Sequence, residues 1–147
     1  MKKRVFKKMV AVFYLLTITA SAFSQADNLK TITVEINHVL VNGGTVYVSA
    51  SLSDEAYKKQ KPDVMLECEP SDSVIKAEMS LPTGDCVINV YQDRNGNGKC
   101  DKNLLGIPKE PVGITNWDGK GVPGNFAKLK VGITPATQTI SINLYQL

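Results

Sequence analysis

Histidine is almost absent from this 147-residue sequence, which contains only His38. A Ser/His/Asp triad or a Cys/His pair would have to use that residue, and no nucleophile motif accompanies it. It lies in an alternating, strand-like segment, where we expect it to face solvent. No glycine-rich loop opens a helix, so nothing indicates nucleotide binding. These absences favour a protein that is not an enzyme.

The N-terminal segment has the order of a secretory signal peptide. MKKRVFKK carries five basic residues, the nearly all-apolar MVAVFYLLTITASAF follows, and small residues close the segment in ASAFSQA. This order is typical of an export signal, with cleavage after Ala22 or Ser24. The alternative is an N-terminal membrane anchor, since the apolar run is only a little short of a bilayer span. We expect a signal peptide at 1–24 and one domain at 25–147, periplasmic or extracellular, with no stable membrane span after cleavage.

Removing the signal changes the sign of the net charge. The whole chain has 17 Lys and Arg against 14 Asp and Glu, a net charge of +3. Five of those basic residues lie in the first eight positions, so 17 minus 5 leaves 12 against 14, a net charge of −2. The basic isoelectric point therefore belongs to the export signal, and no electrostatic case for nucleic-acid binding remains.

Cysteine is scarce as well, with Cys68, Cys86 and Cys100 in the sequence. An exported protein usually pairs its cysteines, but an odd number leaves one over. Cys68 and Cys86 both lie in apolar, strand-like runs, so they form either a cross-strand disulfide or two buried thiols. The spacing of the three does not match a zinc site.

Most of the remaining sequence has the pattern of strands separated by turns. Apolar and polar residues alternate in Leu29–Val39 and Thr45–Leu52, which predicts half-buried strands, and Asn42-Gly43-Gly44 between them predicts a hairpin turn. Residues 53–60 favour a short helix capped by Ser53. Further strands are predicted at residues 64–68, 74–81, 86–91, 126–131 and 137–144. The pattern predicts an all-β fold, a single antiparallel β-sandwich of about seven strands, and because aromatic residues are 7% of the chain, Val, Ile and Leu must form its core.

Residues 92–125 form a long stretch rich in Gly, Asn, Asp and Pro, with no periodicity. Loops of that length in a compact domain are usually functional or disordered. Its start, YQDRNGNGKCD, places oxygens at every second position, as calcium loops do, because calcium takes six to eight oxygen ligands. The predicted ligands are the side chains of Asp93, Asn95, Asn97 and Asp101 and the carbonyl oxygen of Lys99.

This pattern is only the first half of an EF-hand. Leu104 stands where an EF-hand has its bidentate glutamate, and the segment before the loop is strand-like rather than helical. We therefore expect a calcium loop between strands, with a Kd on the order of 10⁻⁴ M or weaker and with the missing carboxylate supplied by Glu110 or Asp118. The alternative is a turn without metal, since Asp, Asn and Gly are the residues that turns favour and basic residues nearby reduce the negative charge.

The segment YQDRNGNGKCDKNLLGIPKEPVGITN resembles the signature of a family of exported bacterial proteins, the domain of unknown function family 2141. The signature is Asp-x-Asn-x-Asn-Gly-x-x-Asp, then Gly-Ile-Pro-x-Glu, a glycine and an asparagine. The matching residues are Asp93, Asn95, Asn97, Gly98, Asp101, Gly106, Ile107, Pro108, Glu110, Gly113 and Asn116. The chain departs from it at Cys86, where an aromatic is common, at Gln92, where a histidine is common, and at 116–119. The resemblance, over roughly Leu29 to Leu147, implies a sandwich similar to transthyretin-like and immunoglobulin-like modules, and it implies no activity.

The only tryptophan, Trp117, lies in a polar Asn-Trp-Asp-Gly context. It either packs over the end of the sandwich or contacts a ligand such as a sugar. Our hypothesis is an exported, non-enzymatic module that is stabilised by Ca²⁺ in the 93–101 loop and presents a surface to a carbohydrate, a peptide or an envelope protein. The alternative is a small secreted metal-assisted hydrolase that uses the loop carboxylates with Glu110.

Overall fold

The computed structural model describes residues 29–147, so the expected signal peptide lies outside the described residues. The described chain forms eight strands and two short helices. They are β1 (Leu29–Asn37), β2 (Val46–Ser51), α1 (Asp54–Lys58), β3 (Val64–Cys68), β4 (Val74–Pro82), β5 (Gly84–Gln92), β6 (Val112–Ile114), α2 (Phe126–Leu129), β7 (Val131–Ile133) and β8 (Thr139–Asn143). No helix among them is long and apolar enough to cross a bilayer.

The strands form two sheets, which confirms the predicted all-β sandwich. One sheet has the order β4-β1-β8, and the other has the order β3-β2-β5-β6, with β7 also paired to β5. All pairings are antiparallel except that of β1 with β8, which is parallel. The transthyretin-like likeness stays a prediction.

The core between the sheets is aliphatic, as expected from the small number of aromatic residues. Alternate residues of each strand point inward, for example Ile32, Val34 and Ile36 of β1, which are at most 1% exposed. They meet inward residues of the second sheet such as Val48 and Ile88 in one cluster. Burying each such side chain contributes about 1.5–3 kcal/mol to folding.

The predicted hairpin between the first two strands is wrong. The first strand pairs with β4 and β8, whereas β2 belongs to the other sheet. The connection is held by the buried amide of Gln92, whose Oε1 accepts from the Leu40 N–H at 2.9 Å and whose Nε2 donates to the carbonyls of Leu40 at 2.7 Å and Gly44 at 3.1 Å. The Asn-Gly-Gly turn therefore carries the chain from one sheet to the other.

Two further local predictions need correction. The segment 126–131, predicted to be a strand, begins as α2, because the Asn125 side chain caps it by accepting from the Lys128 N–H at 3.2 Å. The short strand β6 lies in the stretch that shows no periodicity, since three residues are too few to establish an alternation. The short helix α1 is confirmed, and the Ser53 hydroxyl accepts from the Ala56 N–H at 3.1 Å.

The cysteines form no disulfide. Cys68, Cys86 and Cys100 are all free thiols, and Cys86 is buried. Cys68 lies on β3 and Cys86 on β5, with β2 between those two strands. Burial raises the pKa of Cys86 from 9.0 to about 11. The buried-thiol alternative is thus the one that the structure shows for Cys86.

Candidate functional site

The candidate calcium loop leaves the end of β5, a strand that pairs with three others. β5 pairs with β2, β6 and β7, so its last residues are rigidly placed. Asp93 follows immediately, its N–H donates to the Thr45 carbonyl at 2.9 Å, and only 1% of its surface is exposed. The sheet therefore fixes the first predicted ligand at the base of the loop.

The carboxylate of Asp93 organises the turn that follows it. Its Oδ1 accepts from the N–H groups of Gly96 at 2.9 Å and Asn97 at 3.3 Å, and its Oδ2 accepts from that of Gly98 at 2.6 Å. Gly98 has φ of +74°, a left-handed conformation that glycine adopts without strain. The backbone thus wraps around the Asp93 carboxylate, as the sixth-position glycine of a calcium loop permits.

Three further predicted ligands converge on one point. The Nδ2 atoms of Asn95 and Asn97 donate to Asp101 Oδ2, at 2.7 and 2.8 Å. These two hydrogen bonds hold the pKa of Asp101 below its usual range. The Oδ1 atoms of these asparagines accept from the N–H groups of Asn97 at 3.1 Å and Lys99 at 2.9 Å. A half-turn of either amide that presents its oxygen to a cation would therefore exchange that hydrogen bond for a metal ligand.

The structure brings Glu110 to the loop. Its Oε2 accepts from the Asp101 N–H at 2.6 Å, and the residue is 3% exposed. The residues on either side bind the two ends of the loop, because the Lys109 N–H donates to the Asp101 carbonyl at 2.8 Å and the Gln92 N–H donates to the Pro111 carbonyl at 3.0 Å. Glu110 is therefore placed between the start and the end of the loop.

Asp118, the other expected source of a carboxylate, serves a different turn. Its Oδ1 accepts from the Lys120 N–H at 3.0 Å, and the side chain is exposed. No hydrogen bond joins it to the loop among the described residues.

The two buried carboxylates of the site have no basic partner in residues 29–147. The ion pairs found there are Lys58–Asp54, Lys59–Glu55, Lys76–Glu35 and Lys130–Asp85. Neither Asp93 nor Glu110 belongs to any of them, although a buried charge is normally paired or bound to metal. No group of three or more His, Cys, Asp and Glu side chains in this range is arranged to hold a metal ion. A cation here would thus also need the amide and carbonyl oxygens of the loop.

Two tyrosines connect the loop to the sheet. The Tyr91 hydroxyl donates to the Gly98 carbonyl at 3.1 Å, and its ring stacks on that of Tyr47 with centroids 4.9 Å apart. Burial raises the pKa of Tyr91 to about 12. Burial also raises the pKa of Cys100 to about 11, with Glu110 as the next cause. Cys100 is therefore a protonated thiol at neutral pH, a poor nucleophile and a poor metal ligand.

A groove of about 720 Å³ lies on the outer face of the five-stranded sheet, beside the loop. Its lining includes Lys99 and Cys100 from the loop, Asn89 and Tyr91 from β5, and Trp117. Sequence reasoning did not identify Asn89. Its only signal was a polar residue at an outward-facing strand position, which is common in sandwiches.

Trp117 packs on the protein, which is one of its two expected roles, and the ligand contact stays a prediction. Its ring meets that of Tyr145 edge-on, with centroids 5.7 Å apart, and its Nε1 donates to the Lys120 carbonyl at 3.1 Å. It is half-buried and also forms part of the groove wall. The tryptophan is thus packed on the protein while part of its surface remains accessible to a ligand.

Comparison with known proteins identifies one family. The model of a family described as an uncharacterized protein conserved in bacteria (DUF2141) matches residues 34–141. No curated protein and no solved structure matches the chain.

Proposed function

The chain belongs to this uncharacterized bacterial family, and from that premise we propose that it is an exported, non-enzymatic β-sandwich module whose loop 93–101 binds one calcium ion. The family match supports the resemblance drawn from the loop signature. Export is supported by the N-terminal sequence, and the calcium site by the geometry of the loop.

The observation that carries the proposal is the pair of buried carboxylates without a basic partner. Asp93 is 1% exposed and Glu110 is 3% exposed. Asp93 accepts three backbone N–H groups, whereas Glu110 accepts one. Glu110, a buried carboxylate with a single hydrogen bond, is unfavourable unless a cation neutralises it, and a hard cation with oxygen ligands meets that need.

Six groups would hold the ion. They are the side chains of Asp93, Asn95, Asn97, Asp101 and Glu110 and the carbonyl oxygen of Lys99. Six ligands is the lower end of the calcium range, and a bidentate glutamate would give seven. The role of the ion is structural, since it would tie the end of β5 to the segment around Glu110.

Thermal unfolding in calcium and in chelator tests the proposal. With a Kd on the order of 10⁻⁴ M, 5 mM calcium stabilises the folded protein by about 2 kcal/mol. For a domain of this size the expected rise in Tm is about 8 °C. Equal Tm values of the wild-type protein in both buffers would contradict a calcium site.

Asp101→Asn is the informative variant. The residue is half-exposed and the amide keeps its shape, so we expect little change of Tm in chelator and loss of most of the calcium-induced rise. Asp118→Asn is the matched control, because that side chain caps a separate turn and should leave the calcium response intact. A full calcium response in Asp101→Asn would remove this residue from the ligand set.

The hydrolase alternative gains no support from the described residues. His38 is exposed just beyond the end of β1. The candidate carboxylates accept from backbone N–H groups, or in the case of Asp101 from two asparagine amides. Hydrolysis of a panel of esters and glycosides that disappears in Asp101→Asn would favour the enzyme over the binding module.

A further inference from the structure

The floor of the groove is a row of side chains that crosses four strands. Ser49 of β2 lies between Met65 of β3 and Asn89 of β5, and Asn89 is paired with Ile114 of β6. The residues on β2, β3 and β5 face outward, since their neighbours along the strands belong to the core cluster or pack against it, and Ile114 lines the same groove. With strands about 4.8 Å apart, the row is roughly 14 Å long.

This floor offers hydrogen-bonding groups that the described protein does not use. Neither the amide of Asn89 nor the hydroxyl of Ser51 bonds to another described residue, although Ser51 is only 2% exposed. No fully buried side-chain nitrogen or oxygen in residues 29–147 lacks a partner, so both groups open on the groove that they line. A ligand lying there would satisfy them.

The walls are aromatic, with their polar atoms already engaged. The hydroxyls of Tyr57 and Tyr91 and the indole N–H of Trp117 donate to backbone carbonyls at 3.1–3.3 Å. These side chains therefore offer ring surface to a ligand rather than free donors. Ring surface above polar groups suits a molecule that is apolar on its faces and rich in hydroxyls at its edge, as a sugar is.

The rim is positive, although the chain without its signal has a net charge of −2. Lys58, Lys99 and Lys102 line the groove, and no Asp or Glu side chain of residues 29–147 does. Lys58 is paired with Asp54. Lys99 and Lys102 belong to none of the ion pairs in residues 29–147. Such a rim attracts an anion.

We propose that this groove binds a short oligosaccharide that carries carboxylates or other acidic groups. A peptide usually adds as a strand to the edge of a sheet, whereas this groove lies on a face whose backbone groups are already paired. The inference deepens the proposed function and rests on it in part, since Lys99 and Cys100 of the calcium loop form one wall, which calcium would fix in place.

An array of acidic oligosaccharides and neutral ones of equal length tests the proposal, probed with the protein in 5 mM calcium. Binding is expected for the acidic sugars alone and should weaken at high salt, because exposed charges are screened. Asn89→Ala should bind about tenfold more weakly, through the loss of a hydrogen bond. Lys102→Gln should bind about threefold more weakly, and Lys76→Gln on the opposite sheet should bind as the wild type does. Unchanged Tm values in these variants show that they are folded.

Equal binding of neutral and acidic sugars would overturn the role of the rim. Binding of an acidic peptide such as hexaglutamate without binding of any sugar would replace the saccharide by a peptide, and no binding at all would overturn the site. If the Tm responds to calcium but no sugar binds, the calcium site is supported and the sugar-binding groove is refuted. If sugar binds but the Tm does not respond to calcium, the sugar-binding groove is supported and the calcium site is refuted.

Discussion

Replacing Glu110 by glutamine should stabilise the protein without calcium and should not stabilise it in calcium. Glu110 is 3% exposed, its only hydrogen bond in the described structure is to the Asp101 N–H at 2.6 Å, and no basic side chain pairs with it. Glutamine keeps the size of the side chain and an oxygen that can accept the same hydrogen bond. The substitution therefore removes the charge and little else.

The expected magnitudes follow from the burial of that charge. In chelator the wild-type protein bears the cost of a buried carboxylate with no cation, so Glu110→Gln should be more stable by about 1–2 kcal/mol, or about 4–8 °C in Tm. In 5 mM calcium the wild-type protein gains about 2 kcal/mol from the ion. The variant loses most of that gain. In calcium its Tm should therefore equal that of the wild type or fall below it.

Differential scanning calorimetry at pH 7.5, in 5 mM calcium and in chelator, measures both differences. Glu78→Gln is the control, because this exposed residue of β4 lies on the other sheet and should behave as the wild type does in each buffer. If Glu110→Gln melts below the wild type by the same amount in both buffers, the charge of Glu110 serves the folded protein without a metal, and the reasoning is refuted.

Other predictions concern packing and thiol chemistry. Gly44→Ala should destabilise strongly, since the new Cβ would overlap the Asp93 carbonyl, whereas Gly121→Ala, also at positive φ but in open space, should cost only about 1 kcal/mol; urea unfolding compares the two. Ile88→Ala, at a fully buried core position, should lose about 2–5 kcal/mol in the same assay, and a loss below 1 kcal/mol would contradict tight packing there. Burial raises the pKa of Cys86 from 9.0 to about 11, so alkylation at pH 8 should be about 100-fold slower than in the unfolded chain. Because the unfolded state loses that proton first, this thiol should also make the free energy of unfolding fall between pH 9 and 11, and alkylation at the unfolded rate would contradict its burial.

The strands could be predicted where alternation is long, as in β1 and β4. Their pairing could not, because alternation fixes which side chains point inward but not which strand lies beside which. The turn at Asn42-Gly43-Gly44 indicated a reversal, yet the buried Gln92 amide, distant in sequence, carries that reversal across to the second sheet. The helix α2 was missed because four residues are too few for a 3.6-residue period, and its Asn125 cap is the deciding contact.

Some residues of the candidate site could likewise be predicted from the sequence, and others could not. The closeness of Asp93, Asn95, Asn97 and Asp101 could be predicted because the spacing typical of a calcium loop is a local pattern. The approach of Glu110 was expected, and the structure brings it to the loop through pairing on both sides of it. The groove was not predicted, since Asn89 resembles any solvent-facing strand residue until the register aligns it with its neighbours on β2 and β6.

The parallel pairing of β1 with β8 has a consequence for how the chain folds. Thr33 is paired with Thr139. β1, near the start of the described chain, therefore cannot complete its pairing until β8, near its end, is present. Closing so long a loop makes folding slow, and the three-stranded sheet cannot be completed before β8 has been synthesised. A nascent chain would thus keep β1 unpaired on that side until β8 is available, and such an open state suits the export that we propose.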